Sequence, residues 1–455
     1  MEEIKNKMGE SNIKKLIVQM GLPMILSMIL QAVYNIVDTA FVINMPGGEQ
    51  ANLALTYAFH VQIFMIALGV GTGIGLNTML SKSLGEKDYK KAGLIAGNSV
   101  LLGIIYYLIF FIFGLTLSGV FVAMQANGNP VSAEMGKKYL LICCVFSFGS
   151  IGYAIYERFL QSSGKTLLST IAQISGAVTN IILDYVFIYI CDMGITGAAV
   201  ATVIGQILSL IVAMIFHHTL NTEVKFSLKD LHLNGKVVKG IYKTGISATI
   251  MQALLSVMML GMNIILLKNS NSAILQGSFG FYYKIMQFAL FATFGLSNTI
   301  ITLLAYNYGR KDKKRCLDVI KYGIIYTCIL ALIITFLFEV FSDPLSRVFK
   351  SDSQSGEIII LSVKNAIIIS ATGYVFMGFN VAVQGILQAE GYSYSPLIIA
   401  FLRLCVFVFV FGAIFSGLEK SELYFWFCFP LSEVLTSVVS LIFLKKSLVK
   451  KIYCL

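Results

Sequence analysis

Two aspartates inside apolar segments are the residues of this chain best placed to do chemistry. Asp184 lies in the apolar stretch 179–189, and Asp38 lies in the stretch 34–41. A charged side chain at the centre of a bilayer costs about 2.5 to 3.5 kcal/mol on the most forgiving scale, so an acid in such a position indicates a function. Two acids in two spans predict a shared ion site.

Amides and hydroxyls accompany both acids at the spacing of one helix face, three, four or seven residues apart. The three polar stripes are Gln31, Tyr34, Asn35 and Asp38 in the first span, Gln173, Asn180 and Asp184 in the fifth, and Thr202, Gln206 and Ser209 in the sixth. Facing lipid, these groups would have no hydrogen-bond partners, so we expect the stripes to line a bundle interior or a water-filled cavity.

The oxygen-rich set formed by Asp38, Asn180, Asp184 and Thr202 suits a hard cation or a proton. Burial and like charge both disfavour the doubly ionised state of two neighbouring acids, so such a pair can hold a proton at neutral pH. For Asn180 and Thr202 the alternative is helix-to-helix hydrogen bonding without a part in ion binding.

The elements that must position these residues are membrane helices. The chain has 455 residues, of which 57% are hydrophobic and 13% charged, and its mean hydropathy is +0.81, which excludes a soluble domain and predicts an all-α polytopic membrane protein. Twelve spans can be drawn, at 16–43, 51–80, 94–123, 138–160, 168–190, 195–216, 241–267, 273–304, 321–342, 358–386, 396–416 and 423–444.

The distribution of the 34 Lys and Arg residues predicts the orientation of the chain. Most fall in the joints that share a side with the N-terminus, among them Arg158 and Lys165, so we expect both termini in the cytoplasm. No cleavage site follows the first span, which we expect to remain as a helix. The net charge of +11 reflects this bias, and the scatter of basic residues over several short joints argues against nucleic-acid binding.

The chain repeats itself. Gly21 and Gly245 open the first and seventh spans, and Gly85 and Gly309 follow the second and eighth, both at an offset of 224 residues. Six spans per half is an even number, so the halves enter the membrane the same way up, as parallel repeats related by a pseudo-two-fold axis along the membrane normal. We predict lobes at 1–230 and 231–455, with 217–240 as a linker rather than a regulatory loop.

The second half has no counterparts of the two acids. Met262 stands opposite Asp38, so we expect ion coupling in the first half only. Lys284, Arg403 and Glu433 are the remaining deep charges, and an ion pair among them and contact with substrate are both open. The predicted substrate cavity comprises Gln31, Tyr34, Asn35, Gln173, Gln206, Gln252, Ser256, Lys284 and Glu433.

Other chemistry is not supported. Gly164-Lys165-Thr166 resembles the end of a phosphate-binding loop, but Phe159 stands where that motif needs glycine. Neither the four histidines nor the eight cysteines have metal-ligand spacing, and no nucleophile–base signature occurs. We therefore expect neither enzymatic activity nor a cofactor.

Taken in order, several motifs resemble the multidrug and toxic compound extrusion (MATE) transporters over essentially the whole chain. They are Gly21-Leu22-Pro23 with Asp38, 81–85 with Lys91-Ala92, Phe159-Leu160-Gln161 with Gly164-Lys165, 180–184, 194–202 and Tyr306-Asn307-Tyr308-Gly309. The resemblance implies two six-helix lobes arranged as a V that alternate between inward and outward access.

In the prokaryotic branch that the chain resembles, the cation site lies in the N-terminal lobe. Asp38, Asn180, Asp184 and Thr202 match its positions and would hold H+, or Na+ if sodium is the coupling ion. Another branch uses a carboxylate in helix seven, where this chain has only Gln252 and Ser256.

The resemblance implies a multi-pass plasma-membrane antiporter that exports small organic cations and drugs in exchange for H+ or Na+. We expect a monomer in the lipid bilayer. The alternative within transporters is a flippase for a lipid-linked precursor, which a cavity with several exposed Lys or Arg residues would favour. A membrane-embedded enzyme is the alternative of a different class.

Overall fold

The structure is a computed structural model that describes residues 6–126, 129–269, 272–347 and 356–455, without the side chains of Asn35, Ala273 and Gly356. Every regular element in these ranges is helical. The α-helices are α1 Lys7–Glu10, α2 Ile13–Asn44, α3 Gly48–Gly85, α4 Tyr89–Thr116, α5 Ser118–Gln125, α6 Pro130–Val145, α7 Phe148–Ser162, α8 Thr166–Tyr185, α9 Gly194–Leu220, α10 Gly235–Leu267, α11 Ser272–Gly309, α12 Lys313–Val340, α13 Ser342–Arg347, α14 Gly356–Ala371, α15 Tyr374–Ala389, α16 Tyr394–Phe401, α17 Phe407–Ser416, α18 Ser421–Tyr424 and α19 Cys428–Ser447. Short π-helical turns cover Val186–Ile190, Leu402–Val406 and Leu448–Ile452, and 3-10 turns cover Leu228–Asp230 and Phe425–Phe427.

Ten helical segments of the described chain are long and apolar enough to cross a membrane. The number reaches the twelve predicted from the sequence when each of two bent helix pairs, α6 with α7 and α14 with α15, is taken as one span. The pairs bend by 44° and 56°. At the second bend a Cβ atom on Gly373 would lie 2.6 Å from Cα of Pro430, so glycine allows the bend to press against α19.

The two halves repeat in local geometry as well as in sequence. Helices α3 and α11 each have 38 residues and α4 and α12 each have 28, and each pair begins 224 residues apart. Asp88 and Asp312 cap α4 and α12 with side chains that accept a backbone N–H. The residues before them, Lys87 and Lys311, have φ of 57° and 58°. The repeat detected in the sequence thus extends to the backbone conformation of its joints.

The chain forms two compact units that exchange segments. Unit 1 comprises 1–10 and 26–249, and unit 2 comprises 11–25 and 250–455. Relative to the predicted lobes, residues 11–25, largely in α2, group with the second half, and residues 231–249, largely in α10, group with the first. The changes of unit after residues 25 and 249 lie 224 positions apart, which is the repeat offset.

In unit 1, α8 and α9 pack at close range through small residues. A Cβ atom on Gly176 would lie 1.9 Å from Oγ of Ser209, and one on Gly205 would lie 2.7 Å from the carbonyl oxygen of Gly176. Close approach through glycine and serine is typical of membrane helices, where packing replaces the hydrophobic driving force.

Arg158, counted above among the basic residues near span ends, is compensated inside the protein. It is buried within α7, 4% exposed, and donates from Nη1 to Oε1 of Gln161 at 2.6 Å. Nε2 of Gln161 donates to Oε1 of Glu157 at 2.9 Å, and Nε of Arg158 lies 3.8 Å from Oε2 of Glu157. Because this network compensates the charge inside the unit, Arg158 does not need water.

The space for Arg158 comes from a glycine, and the second half reverses this arrangement. A Cβ atom on Gly73 would lie 3.0 Å from Nε of Arg158. In unit 2 the equivalent positions are Ser297 and Gly385, and a Cβ atom on Gly385 would lie 2.3 Å from Oγ of Ser297. In the first half, Gly73 on α3 faces the large side chain of Arg158 on α7. In the second half, Ser297 on α11 faces Gly385 on α15.

The segment between the halves packs against α4. The backbone N–H of Asn234 donates to Oδ1 of Asn98 at 2.7 Å, and a Cβ atom on Gly97 would lie 2.3 Å from the carbonyl oxygen of Asp230. Nδ2 of Asn221 donates to the carbonyl oxygen of Phe159 at 3.0 Å. The predicted linker therefore packs as part of unit 1.

Candidate functional site

Helices α2, α8 and α9 bring the four predicted cation-site residues together in unit 1. Asp184, Asn180 and Thr202 are 0%, 2% and 4% exposed, and Asp38 is half-buried. The carboxyl groups of Asp38 and Asp184 lie close enough to interact with one another, and Asn180 lies beside Asp184. The spacing seen in the sequence therefore corresponds to one cluster in space.

The cluster contains buried polar atoms that make no hydrogen bond of ordinary geometry to the residues described. Among the described residues no hydrogen-bond partner is found for the following atoms: Oδ1 of Asp38, Oδ1 and Nδ2 of Asn180, both carboxylate oxygens of Asp184, and Oγ1 of Thr202. Leaving a buried polar group unpaired costs about 1 to 3 kcal/mol, and more for a charged one. A proton or a hard cation would satisfy these oxygens.

Two local features of the backbone lie beside Asp184 and Asn180. The π-helical turn Val186–Ile190 begins directly after α8, two residues beyond Asp184, and such turns occur often at functional sites. On the facing helix, a Cβ atom on Gly205 would lie 2.9 Å from Cβ of Asn180. Glycine at 205 thus lets α9 approach Asn180 closely.

A second group of polar residues borders the acids and was missed in the sequence. Tyr139 and Cys143, four residues apart on α6, lie near Asp38 and Tyr34. Nε2 of Gln62 lies 3.4 Å from the Tyr139 hydroxyl and 3.7 Å from Sγ of Cys143. The four-residue spacing was the available signal, but Tyr and Cys on an apolar helix are more often core residues.

The residues predicted to line a cavity in unit 1 are half-buried where the structure describes their side chains. Tyr34 is half-buried beside Thr202, and Gln31 and Gln206 are half-buried. Gln173 accepts hydrogen bonds from Ser27 and from the hydroxyl of Tyr153, the latter at 3.4 Å. The side chain of Asn35 lies outside the described part of the structure.

The residues predicted in the second half belong to unit 2. Gln252 and Ser256 are half-buried on α10, and Lys284 is exposed on α11. Glu433 forms an ion pair with Arg403, in which Oε1 lies 3.2 Å from Nε. The structure therefore contains an ion pair between two of these charges, and contact of Lys284 or Glu433 with substrate stays a prediction.

An aromatic groove lies in unit 1 on two of the segments that carry the site residues. It has a volume of about 460 Å³, between one face of α2 and the end of α8, and Phe41, Tyr185 and Tyr189 line it. The hydroxyl of Tyr189 donates to the carbonyl oxygen of Phe41 at 2.9 Å, and the Tyr185 and Tyr189 rings lie 5.9 Å apart. Tyr185 directly follows Asp184 in the chain. The size is that of a small-molecule site, and such rings can contact a cation through their faces.

Comparison with known families decides the identity. The family model MatE matches residues 23–186 and 247–414, which together cover most of both halves. The chain belongs to the MatE family.

Curated relatives of this MatE chain extend over nearly its full length. The multidrug export protein MepA of Staphylococcus aureus (strain MRSA252) is 26% identical over 413 residues, covering 90% of this chain and 89% of the relative. MepA of Staphylococcus haemolyticus (strain JCSC1435) is 26% identical over 414 residues with the same coverage.

Solved structures have the same fold. An outward-facing multidrug resistance MATE family transporter of the MOP superfamily superposes with a TM-score of 0.91 at 20% identity, covering 98% of each chain. A MOP superfamily transporter from Pyrococcus furiosus superposes with a TM-score of 0.87 at 20% identity, covering 99% of this chain and all of that chain.

These findings confirm the resemblance drawn from the sequence motifs. The protein is an all-α, multi-pass membrane protein of the MATE multidrug efflux family, whose members are transporters.

Proposed function

We propose that this chain is a secondary active transporter that exports hydrophobic organic cations in exchange for H+ or Na+. Asp38, Asn180, Asp184 and Thr202 form its cation-coupling site. The observation that carries the proposal is the pair of neighbouring carboxyl groups, whose buried oxygens make no hydrogen bond of ordinary geometry to the described residues. No group of three or more His, Cys, Asp or Glu side chains that could hold a metal occurs in that part of the chain, so the set suits a proton or Na+ rather than a transition metal.

The coupling follows from charge. While Asp38 and Asp184 carry negative charge, the site attracts an organic cation, and uptake of H+ or Na+ removes that attraction. In a one-for-one exchange of monovalent cations no net charge crosses the membrane, so the concentration gradient of H+ or Na+ supplies the driving force. Each net charge that another stoichiometry moves across 100 mV adds about 2.3 kcal/mol. The ion and the drug must favour different access states or charge forms, since a ligand shifts a conformational equilibrium only by its differential affinity.

The aromatic groove supports the substrate class. Phe41, Tyr185 and Tyr189 offer ring faces to one groove, which suits a flat hydrophobic cation such as a dye. The remaining predicted cavity residues are Gln31, Tyr34, Asn35, Gln173, Gln206, Gln252, Ser256, Lys284 and Glu433, and we propose that the glutamines and Tyr34 of unit 1 contact substrate.

The proposal includes the arrangement in the membrane. The halves are parallel repeats related by a pseudo-two-fold axis along the membrane normal, and the N- and C-termini are cytoplasmic, as the Lys and Arg distribution predicts. The transporter works as a monomer in the plasma membrane without a nucleic-acid partner.

The test is transport of a fluorescent organic cation in proteoliposomes. Asp38→Asn and Asp184→Asn, alone and together, should each reduce gradient-driven export at least tenfold because Asn cannot exchange its charge. Asp192→Asn is the matched control, since Asp192 is exposed and lies outside the cluster. Wild-type export by the double variant would refute the mechanism.

The same vesicles identify the coupling ion and test the alternative. A pH gradient and a sodium gradient imposed separately should drive export in one case and not in the other. A flippase would instead move a lipid-linked precursor between leaflets and leave the dye where it is.

A further inference from the structure

The buried acids of the two units are compensated in different ways. In unit 1, neither Asp38 nor Asp184 has a Lys or Arg partner within the described residues. In unit 2, the intramembrane acid Glu433 has one in Arg403. The first unit therefore needs a counter-cation from solution, whereas the second carries its own.

Arg403 is held in place on a distorted turn of helix. It lies in the π-helical turn Leu402–Val406, and its side chain is 4% exposed. Its Nε lies 3.2 Å from Oε1 of Glu433. Its backbone carbonyl accepts a hydrogen bond from Oγ of Ser432 at 2.7 Å, which ties the turn to α19.

The other oxygen of Glu433 is also occupied. Oε2 accepts a hydrogen bond from Nδ2 of Asn380 at 2.9 Å. Asn380 is itself fixed, because its Oδ1 accepts a hydrogen bond from Oγ of Ser440 at 2.8 Å. Glu433 is thus neutralised by one tethered cation and one fixed amide, with no demand for a mobile ion.

A small cavity lies beside the ion pair. Its volume is about 20 Å³, room for about one water molecule, and Met258, Met286 and Met377 are among its lining residues. Nη1 of Arg403 is buried and has no hydrogen-bond partner among the residues described. An organic cation does not fit in this space.

We propose that Arg403 is a tethered counter-cation. It occupies the position beside Glu433 that H+ or Na+ would otherwise take, and so prevents unit 2 from binding a coupling ion. The number of ions exchanged per cycle is then set by unit 1 alone. This inference rests on the proposed antiport for its role in transport. The ion site beside Glu433 is tested separately, by ion binding.

The experiment counts bound ions in the full chain with the unit 1 site disabled. In the Asp38→Asn/Asp184→Asn background, adding Arg403→Met removes the charge and keeps an unbranched side chain. This variant should gain about one bound ²²Na+ per protein at alkaline pH, or about one titratable proton, relative to the background alone. Adding Glu433→Gln should abolish the gain. Arg403→Lys, which keeps a tethered charge, should show none.

Two outcomes would overturn the proposal. One is a folded Arg403→Met protein that binds no additional ion. The other is a Glu433-dependent ion already bound in the background variant, before Arg403 is changed. If Arg403→Met is too unstable in detergent for ion counting, its melting temperature is measured as a function of pH and sodium concentration. Acid or Na+ should raise it towards that of Arg403→Lys, and equal insensitivity of both variants would reject the proposal. Dye transport by Asp38→Asn/Asp184→Asn judges the unit 1 mechanism separately.

Discussion

Cβ of Asn180 lies 2.9 Å from the position that a Cβ atom on Gly205 would occupy. The amide of the cation site is therefore positioned by an absent methyl group on the neighbouring helix. Any side chain at 205 must push α9 away from α8 or displace Asn180 from the acids, because buried helices have little room to adjust.

Gly205→Ala should impair transport more than it impairs folding. Overpacking of this kind costs about 1 to 3 kcal/mol, and a displacement of about 1 Å at a reacting group can cost about a hundredfold in rate. We expect a modest fall in melting temperature and a large fall in dye export. Gly280→Ala on α11 is the control, because a Cβ atom there meets nothing within 4 Å. Equal export by the two variants would show that the approach at Gly205 is unimportant.

The buried network in α7 predicts a paired effect on stability. Arg158→Met leaves Glu157, 6% exposed, without its cation, and breaking a buried pair in this way costs about 3 to 5 kcal/mol. The double variant Glu157→Gln/Arg158→Met should recover most of that loss because no charge remains. Thermal unfolding in detergent measures both. A double variant as unstable as the single one would show that packing of the Arg158 stem against Gly73, rather than charge, is what matters.

Glu390 predicts a pH dependence at one end of unit 2. It lies just beyond α15 and is 5% exposed; its Oε2 accepts a hydrogen bond from Ser447, and no partner for Oε1 is found in the described chain. Burial raises the pKa of Glu390 from its ordinary value of 4.5 to about 7, and the Ser447 hydrogen bond and Lys451 only partly oppose that shift. Tyr308, Tyr392 and Cys316 are the other titratable groups near this carboxyl.

The sign follows from the raised pKa. The stability that the protonated Glu390 carboxyl provides relative to the ionised one is complete below about pH 4.5. It is lost as pH rises through about 7, because the folded state must then ionise a buried carboxyl. The wild-type melting temperature should therefore fall between pH 5 and pH 8 by more than that of Glu390→Gln, which does not ionise. The rate of amide hydrogen exchange in 448–452, which follows Ser447, should rise over the same interval by more than it does in Glu390→Gln. Parallel melting curves of the two proteins across this range would contradict the assignment.

The packing of the linker against α4 can be tested by proteolysis. Gly97→Leu would place side-chain atoms where the carbonyl oxygen of Asp230 lies, since even a Cβ atom would be 2.3 Å away. The 3-10 turn Leu228–Asp230 should lift off, and trypsin should cut at the exposed Lys229 about ten times faster. Gly235→Ala is the control, because nothing lies within 4 Å of its added Cβ atom. An unchanged cutting rate would mean that the linker is not held by this contact.

Much of the fold could be predicted from the sequence because lipid imposes simple rules. Spans must be long and apolar, so hydropathy alone located all twelve predicted segments, and a fixed offset revealed the repeat. The bends at residues 146–147 and 372–373 were not predicted, since no proline marks either position. They depend on tertiary contacts such as that of Gly373 with Pro430.

The acids could be found because charge in an apolar segment is rare, and helical spacing grouped Asn180 with Asp184. Tyr139 and Gln62 could not be found, because their proximity to Asp38 depends on how α3 and α6 pack. The burial of Arg158 was not predicted, because the distribution of positive charge near span ends gives no indication of a buried partner such as Glu157. The roles of the site residues stay predictions.

The exchange of segments 11–25 and 231–249 has a consequence for how such a protein can be built. A break in the chain near residue 230 would yield two fragments, each carrying a strip that belongs to the other body and lacking one of its own. Neither fragment contains the whole of one unit, so we expect neither to fold alone as a compact body.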